Sequence, residues 1–309
     1  MDVKALSNIL LQIFYIMIGL LMVLTTISTL KDKNHKTRLG TATFWAILAA
    51  IFIFGEFIPS IVTGILIVII GLLSAFKQVN IGTLKQLDNT FSSLKADKLG
   101  IKIFIPSLLI AFIALAIAQF TPISGVAAIG ISAVIALIIT FAITRATKVE
   151  FLEDSDRMLQ SVGATAILPQ LLAALGALFT AAGVGDIISS IISSVIPQGN
   201  IWLGVTAYCV GMAVFTAIMG NAFAAFSVIT VGIGVPFVFM QGGDPIMASA
   251  LAMTAGFCGT LLTPMAANFN ILPSALLETK DKNGIIKYQA IYALILLAIH
   301  IPLMYLLAF

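Results

Sequence analysis

Three asparagines and two threonines in an otherwise apolar stretch are the residues of this chain best suited to do chemistry. Asn221 follows Gly220 directly after an apolar run, and Thr260, Thr263, Asn268 and Asn270 lie in "GFCGTLLTPMAANFNILPSALLE", residues 256–278. Gly256, Gly259, Pro264 and Pro273 interrupt the same segment. A buried amide is costly unless it is paired. Backbone groups freed by a helix break inside a bilayer survive only where protein, water or ligand satisfies them. The chemistry these types support is binding: free N–H groups and a positive half-helix end for an anion, unwound carbonyls for a cation, and amides and hydroxyls for direction. From Met158 to Thr279 no Lys or Arg occurs. A carboxylate bound there must be held by backbone N–H groups, amides and hydroxyls, or by a partner subunit. Gly220, Asn221, Thr260, Thr263, Pro264, Asn268 and Asn270 are therefore the candidate substrate or ion residues.

Plainer readings stand beside this one. Gly232-x-Gly234 and the Ala-rich runs can serve only to let helices pack closely, and Pro264 and Pro273 can merely kink a helix. Glu56, Asp186 and Asp244 lie away from the basic loops, beside outer turns or helix starts, where capping or exposure is the default. Glu56 is the acid expected closest to the membrane, a candidate for proton or ion coupling. Cys209 and Cys258 have no metal-type spacing and read as small buried residues. His35 falls in a basic loop and His300 in the last apolar segment, neither with a partner nearby in sequence. No catalytic motif and no GxxxxGK[ST] phosphate loop is present, so the chain reads as neither an enzyme nor an ATP-driven motor, with no cofactor or metal implied.

The elements that must position these residues are membrane spans. The chain is 60% hydrophobic and 9% charged, with a mean hydropathy of +1.13, against roughly 25% charged residues in soluble domains. An all-α polytopic integral membrane protein of about ten crossings follows. Leu6–Leu30 reads as a retained span rather than a cleaved export signal. Of the 16 basic residues, all but Lys4 fall in four clusters: 31–38, 77–102, 145–157 and 280–287. Basic loops stay in the cytoplasm, so an even number of crossings must separate the clusters. Residues 39–76 hold two spans divided at "GEFIPS", and 103–144 two divided at "TPISG". Both termini are then non-cytoplasmic. The organisation expected is an N-terminal bundle over 1–144, an amphipathic cytoplasmic linker over 145–160 with a solvated face, and a C-terminal bundle over 161–309. Residues 77–100 form a second connector, helical in part. Within the C-terminal bundle, spans are expected at Ser161–Ala182, Asn200–Met219, Phe223–Phe239 and Ile246–Leu277. "VGDIISSIISSVIPQG" is too short to span and is expected to be re-entrant or superficial. Ile246–Leu277 is too long for one span and too short for two, so a helix broken near Thr260–Asn270 inside the membrane is expected, paired with an interruption at Gly220–Asn221.

"GNAFAAFSVITVGIGVP" and "GFCGTLLTPMAANFNILPSALLE" resemble a bacterial membrane family catalogued as domain of unknown function 979, identified as the larger subunit of two-component 5-oxoproline (pyroglutamate) transporters. The likeness extends over the chain in length and hydropathy, while these two motifs carry its specificity. It implies a second, smaller integral membrane subunit encoded nearby. It also implies a distant similarity to the ion-transporter superfamily of anion carriers, with inverted repeats, re-entrant segments, elevator-like movement and coupling to sodium or protons. A non-transporting structural subunit, or less readily a membrane-embedded enzyme, is the alternative.

Overall fold

A computed structural model describes residues 3–83, 95–195, 197, 199–277, 279–281 and 283–309, with the backbone alone described at 164–165, 168–170, 173, 195, 267–268 and 275–276. Residues Met1–Gly163 form one unit. It contains α1 (Val3–Lys31), α2 (Arg38–Phe54), α3 (Ser60–Ala75), α4 (Lys95–Phe120, with a 3-10 turn at Gly100–Phe104), α5 (Gly125–Thr144) and α6 (Lys148–Val162). Residues Ala164–Phe309 form another. Its helices are α7 (Leu168–Ala181), α8 (Val184–Val195), α9 (Ile201–Met219), α10 (Ala222–Ile229), α11 (Pro245–Leu261), α12 (Leu272–Leu276) and α13 (Gly284–Ala308). Among the described residues there is no strand, and six helices are long and apolar enough to cross a bilayer. The fold is that of an all-α polytopic membrane protein. Its lipid-facing side chains are apolar, as a hydrocarbon solvent requires: Leu108, Phe112 and Leu115 on α4 are all exposed. Much of the 77–100 connector, residues 84–94, lies outside the described residues.

In the first unit α1 and α2 lie against each other, with Gly19 facing the Ile53 side chain and Gln12 Nε2 donating to the Ile53 carbonyl at 3.1 Å. Phe44 and Trp45 of α2 are fully buried. α6 starts with a complete capping box: the Thr147 hydroxyl accepts from Glu150 N–H at 3.3 Å, and the Glu150 carboxylate accepts from Thr147 N–H at 2.6 Å.

The second unit is built on antiparallel hairpins. Tyr208 of α9 bonds Thr230 across the first at 2.8 Å, while Gly204 and Gly211 face Phe237 and Ile233. α10 continues as a π-helix over Thr230–Phe239 that holds Pro236. Proline removes one N–H and crowds the carbonyl four residues back, and the wider turn ends with Met240 N–H on the Val235 carbonyl at 2.9 Å. α11 turns its small residues Ala248, Ala252, Ala255 and Gly259 inward, and Gly259 lies against the Ala213 backbone. α13 runs back beside it, with His300 Nε2 2.9 Å from the Thr254 hydroxyl. α7 and α8 form a pair bent by 66° at Gly183, the geometry of a broken span or of a re-entrant loop, and the "VGDIISSIISSV" segment packs on the π-helix at Gly232. The expected packing role of Gly232 and Gly234 is what they perform, against Gly185 and the Tyr208 ring.

The interruption at Gly220–Asn221 falls between the two spans expected there and takes the form of a two-residue hairpin turn, whose arms, Ile201–Met219 and Ala222–Phe239, are each long enough to span.

Candidate functional site

α9 ends because Gly220 takes the left-handed conformation, φ 74°, which glycine adopts without steric cost. Its N–H donates to the Thr216 carbonyl at 2.6 Å. Asn221 is then extended and caps α10: Oδ1 accepts from Phe223 N–H at 2.9 Å and Ala224 N–H at 3.3 Å. α11 stops at Leu261, the backbone leaves helical geometry over 262–266, and a π turn over Ala267–Ile271 leads into α12. The break thus falls where the sequence pattern puts it.

Asn270 holds this break together. It is 1% exposed, and its Nδ2 donates to the Thr260 carbonyl at 2.9 Å and the Thr263 carbonyl at 2.5 Å. Gln289, in the second turn of α13, donates to the Leu261 carbonyl at 3.1 Å and also to Asn270 Oδ1. Three carbonyls released at the end of α11 are therefore satisfied by two side-chain amides. The Thr260 hydroxyl donates to the Phe257 carbonyl at 2.6 Å, and the Thr263 hydroxyl accepts from Met265 N–H at 3.2 Å. Both threonines are buried, whereas Pro264 and Met265 are exposed.

The hairpin turn and the break meet. A Cβ on Gly220 would stand 2.6 Å from the Met265 carbonyl carbon, so only glycine permits this approach. Gly220, Asn221, Thr260, Thr263, Pro264 and Asn270 thus belong to one end of the second unit. The Asn268 side chain lies outside those described. Close by, the Thr216 hydroxyl is buried without a hydrogen-bond partner, and Gly256 faces it. The arrangement offers a helix N-terminus, an orphaned hydroxyl and a set of amide-held carbonyls, the donors and acceptors of a polar binding site.

Glu56 belongs to the first unit, exposed in the turn between α2 and α3. Asp244 caps α11, accepting from Ile246 N–H at 2.8 Å, and Asp186 is exposed in the first turn of α8. Sequence reading missed Gln289, whose signal is an uncharged amide early in an apolar span.

It also missed a second polar constellation, in the first unit. Asp156 and Gln160 of the linker helix, expected on a solvated face, are tied to other elements. Ser28 donates to Asp156 Oδ2 at 2.7 Å, and Gly82 N–H donates to Gln160 Oε1 at 2.9 Å. Asp156 Oδ1 is buried without a partner. Asp32 Oδ2 accepts from the N–H and the hydroxyl of Thr83, both at 2.7 Å, and these bonds, the N–H first, hold its carboxyl below the usual value of 3.8. His35 accepts from Thr37 N–H at Nδ1, 3.1 Å away, which leaves Nε2 to donate to the Asn80 carbonyl at 2.9 Å. The segment 78–83 is thereby stitched to the α1–α2 loop and to α6.

A family model described as protein of unknown function (DUF979) matches residues 12–309. No curated protein and no solved structure matches the chain.

Proposed function

The chain belongs to the DUF979 family of proteins of unknown function, and from that premise we propose that it is one subunit of a secondary active transporter for a small organic anion, with 5-oxoproline as the substrate. The observation that carries this reading is the meeting of the Gly220 turn with the α11 break at Met265. A broken helix whose freed backbone meets the N-terminus of another helix is one way secondary transporters hold substrate and coupling ion. The positive end of α10 and the Asn221 amide favour a carboxylate. The Thr216 hydroxyl supports a further contact, the carbonyls of Thr260 and Thr263 are oxygen ligands that suit sodium, and a proton is the alternative coupling ion. The protein belongs in the bacterial cytoplasmic membrane with both termini outside. It works with a smaller membrane subunit, moves its substrate by an elevator-type motion and catalyses no chemical step.

Uptake of labelled 5-oxoproline tests this. Cells expressing the chain with its neighbouring subunit accumulate substrate, and cells expressing either subunit alone do not. Equal uptake by the smaller subunit alone would sink the reading. That result would favour a non-transporting assembly subunit, a second reading supported by the way Asn221 and Asn270 bond within their own chain.

A further inference from the structure

The first unit carries an open, groove-like cavity of about 640 Å³, within the ~300–1,000 Å³ range of small-ligand sites. Its walls come from four elements: Leu21 of α1, Leu99 and Ile103 of α4, Leu137 and Phe141 of α5, and Phe151 of α6. α6 is amphipathic, and part of its apolar face lines this space, where none of the described residues packs on it. The mouth is polar. Lys95 pairs with Glu150 across it at 3.4 Å, and Asp154, also at the rim, is held by Arg157 at 2.7 Å. Two acids of the rim are thus engaged by cations within the chain.

The depth of the cavity identifies its ligand. Leu21 stands ten residues before the basic end of α1 at Lys31, and Leu137 seven before the end of α5 at Thr144. At 1.5 Å per residue the apolar walls reach ~10–15 Å below the level of the basic loops, about half the ~30 Å thickness of a hydrocarbon core. That is the reach of one acyl chain from headgroup level toward the midplane. Next to lining residues in sequence, though not themselves among them, Lys98 and Lys102 precede Leu99 and Ile103 on α4, while Arg145 and Lys148 flank the start of α6. All four are exposed, and the same segments carry Asp97, Glu153 and Asp156 besides the two paired acids.

We propose that this cavity is a binding site for an anionic phospholipid, one acyl chain lying between α1, α5 and α6 and the phosphate facing Lys98, Lys102, Arg145 and Lys148. Basic pockets between membrane helices on the cytoplasmic side hold anionic headgroups by this combination of charge and apolar depth. The lipid fills space that α6 leaves open and fixes the linker helix at the membrane surface. The site is independent of the transport reading.

Fluorescence quenching tests it on the full chain in phosphatidylcholine vesicles. Bimane is attached to Phe151→Cys, and to Leu294→Cys on the exposed face of α13 as a bulk-lipid reference; Cys209 and Cys258 are buried. Quenching is measured with spin-labelled phosphatidylglycerol and with spin-labelled phosphatidylcholine at equal mole fraction. The expected ratio of the two is at least about threefold higher at 151 than at 294, and Lys98→Gln with Lys102→Gln and Lys148→Gln brings it down to the reference. A second reporter, Thr140→Cys on the opposite wall, gives the same ratio and guards against local damage at 151. Equal ratios at the cavity and reference positions, or a triple variant that keeps the preference, overturn the anionic headgroup. No quenching at 151 and 140 overturns the lipid altogether and assigns the cavity to a protein segment.

Discussion

Asn270 shows why an amide stands in a segment where apolar side chains would be cheaper. It satisfies the Thr260 and Thr263 carbonyls with one NH2 group, and Gln289 holds it in place. Asn270→Ala leaves both carbonyls buried and unpaired, at about 1–3 kcal/mol each. The expected outcome is a clear fall in melting temperature of the detergent-solubilised protein. Gln289→Leu falls by less, and the double variant by less than the two together, because the pair acts as one unit; strict additivity would contradict the network. Asn221 separates structure from binding. Asn221→Ala removes an N-cap and costs ~1 kcal/mol, whereas Asn221→Asp keeps a good cap at a positive helix end. If the α10 N-terminus receives an anion, the Asp variant keeps its melting temperature while 5-oxoproline uptake falls about tenfold or more, since a fixed carboxylate repels the substrate. Normal uptake by that variant removes Asn221 from the binding residues. The amides and threonines were legible in the sequence as odd polar residues in apolar chain. Their hydrogen-bond partners were not, because Gln289 lies 19 residues away and becomes a neighbour only when α13 folds back.

The ends of helices carry the interest at the next scale. The sequence located the α11 break because helix breakers and an over-long apolar run coincide there. The Gly220–Asn221 turn was legible as the gap between two apolar runs; its approach to the Met265 backbone was hidden, since the two are far apart in sequence. The π-helix over Thr230–Phe239 was hidden too, because Pro236 can kink an α-helix or widen it. Gly220→Ala tests the contact between turn and break. The left-handed conformation costs an L-residue ~1–2 kcal/mol, and the added methyl runs into the Met265 backbone. Destabilisation beyond the conformational cost alone, together with loss of uptake, is expected; wild-type stability would mean that the two ends are not in contact. In the first unit, the 78–83 segment docks on the α1–α2 loop through Asp32. Its folded-state value is depressed, so the Asp32–Thr83 contribution is complete above the ordinary value of 3.8 and disappears as pH falls through the lower folded value. Hydrogen exchange at the Thr83 amide is expected to be slow at neutral pH and to accelerate below about pH 4 relative to its intrinsic rate. Asp32→Asn, which keeps an acceptor, abolishes that dependence.

For the whole molecule, the arithmetic of crossings decides what the bent pair α7–α8 does. A pair bent by 66° is either one broken span or a re-entrant hairpin that returns to its starting side. The hairpins from α9 to α13 make the choice consequential, because each later turn inherits its side from this one. If the pair crosses, the turn after α8 lies opposite the 145–157 basic cluster. The Gly220–Asn221 turn then shares the side of Lys280, Lys282 and Lys287, and all basic loops stay together. If the pair returns, the last basic loop is carried to the other side, against the charge rule for short loops. The broken span is therefore expected. Pro197→Cys in the turn after α8 and Lys280→Cys before α13 distinguish the two with a membrane-impermeant maleimide on intact cells, Cys209 and Cys258 being buried. Labelling at 197 with protection at 280 fits a crossing; the reverse pattern establishes a re-entrant hairpin. A crossing puts the Gly220 turn and the α11 break on the cytoplasmic side, so that a substrate arriving from outside reaches this end only after part of the protein has moved.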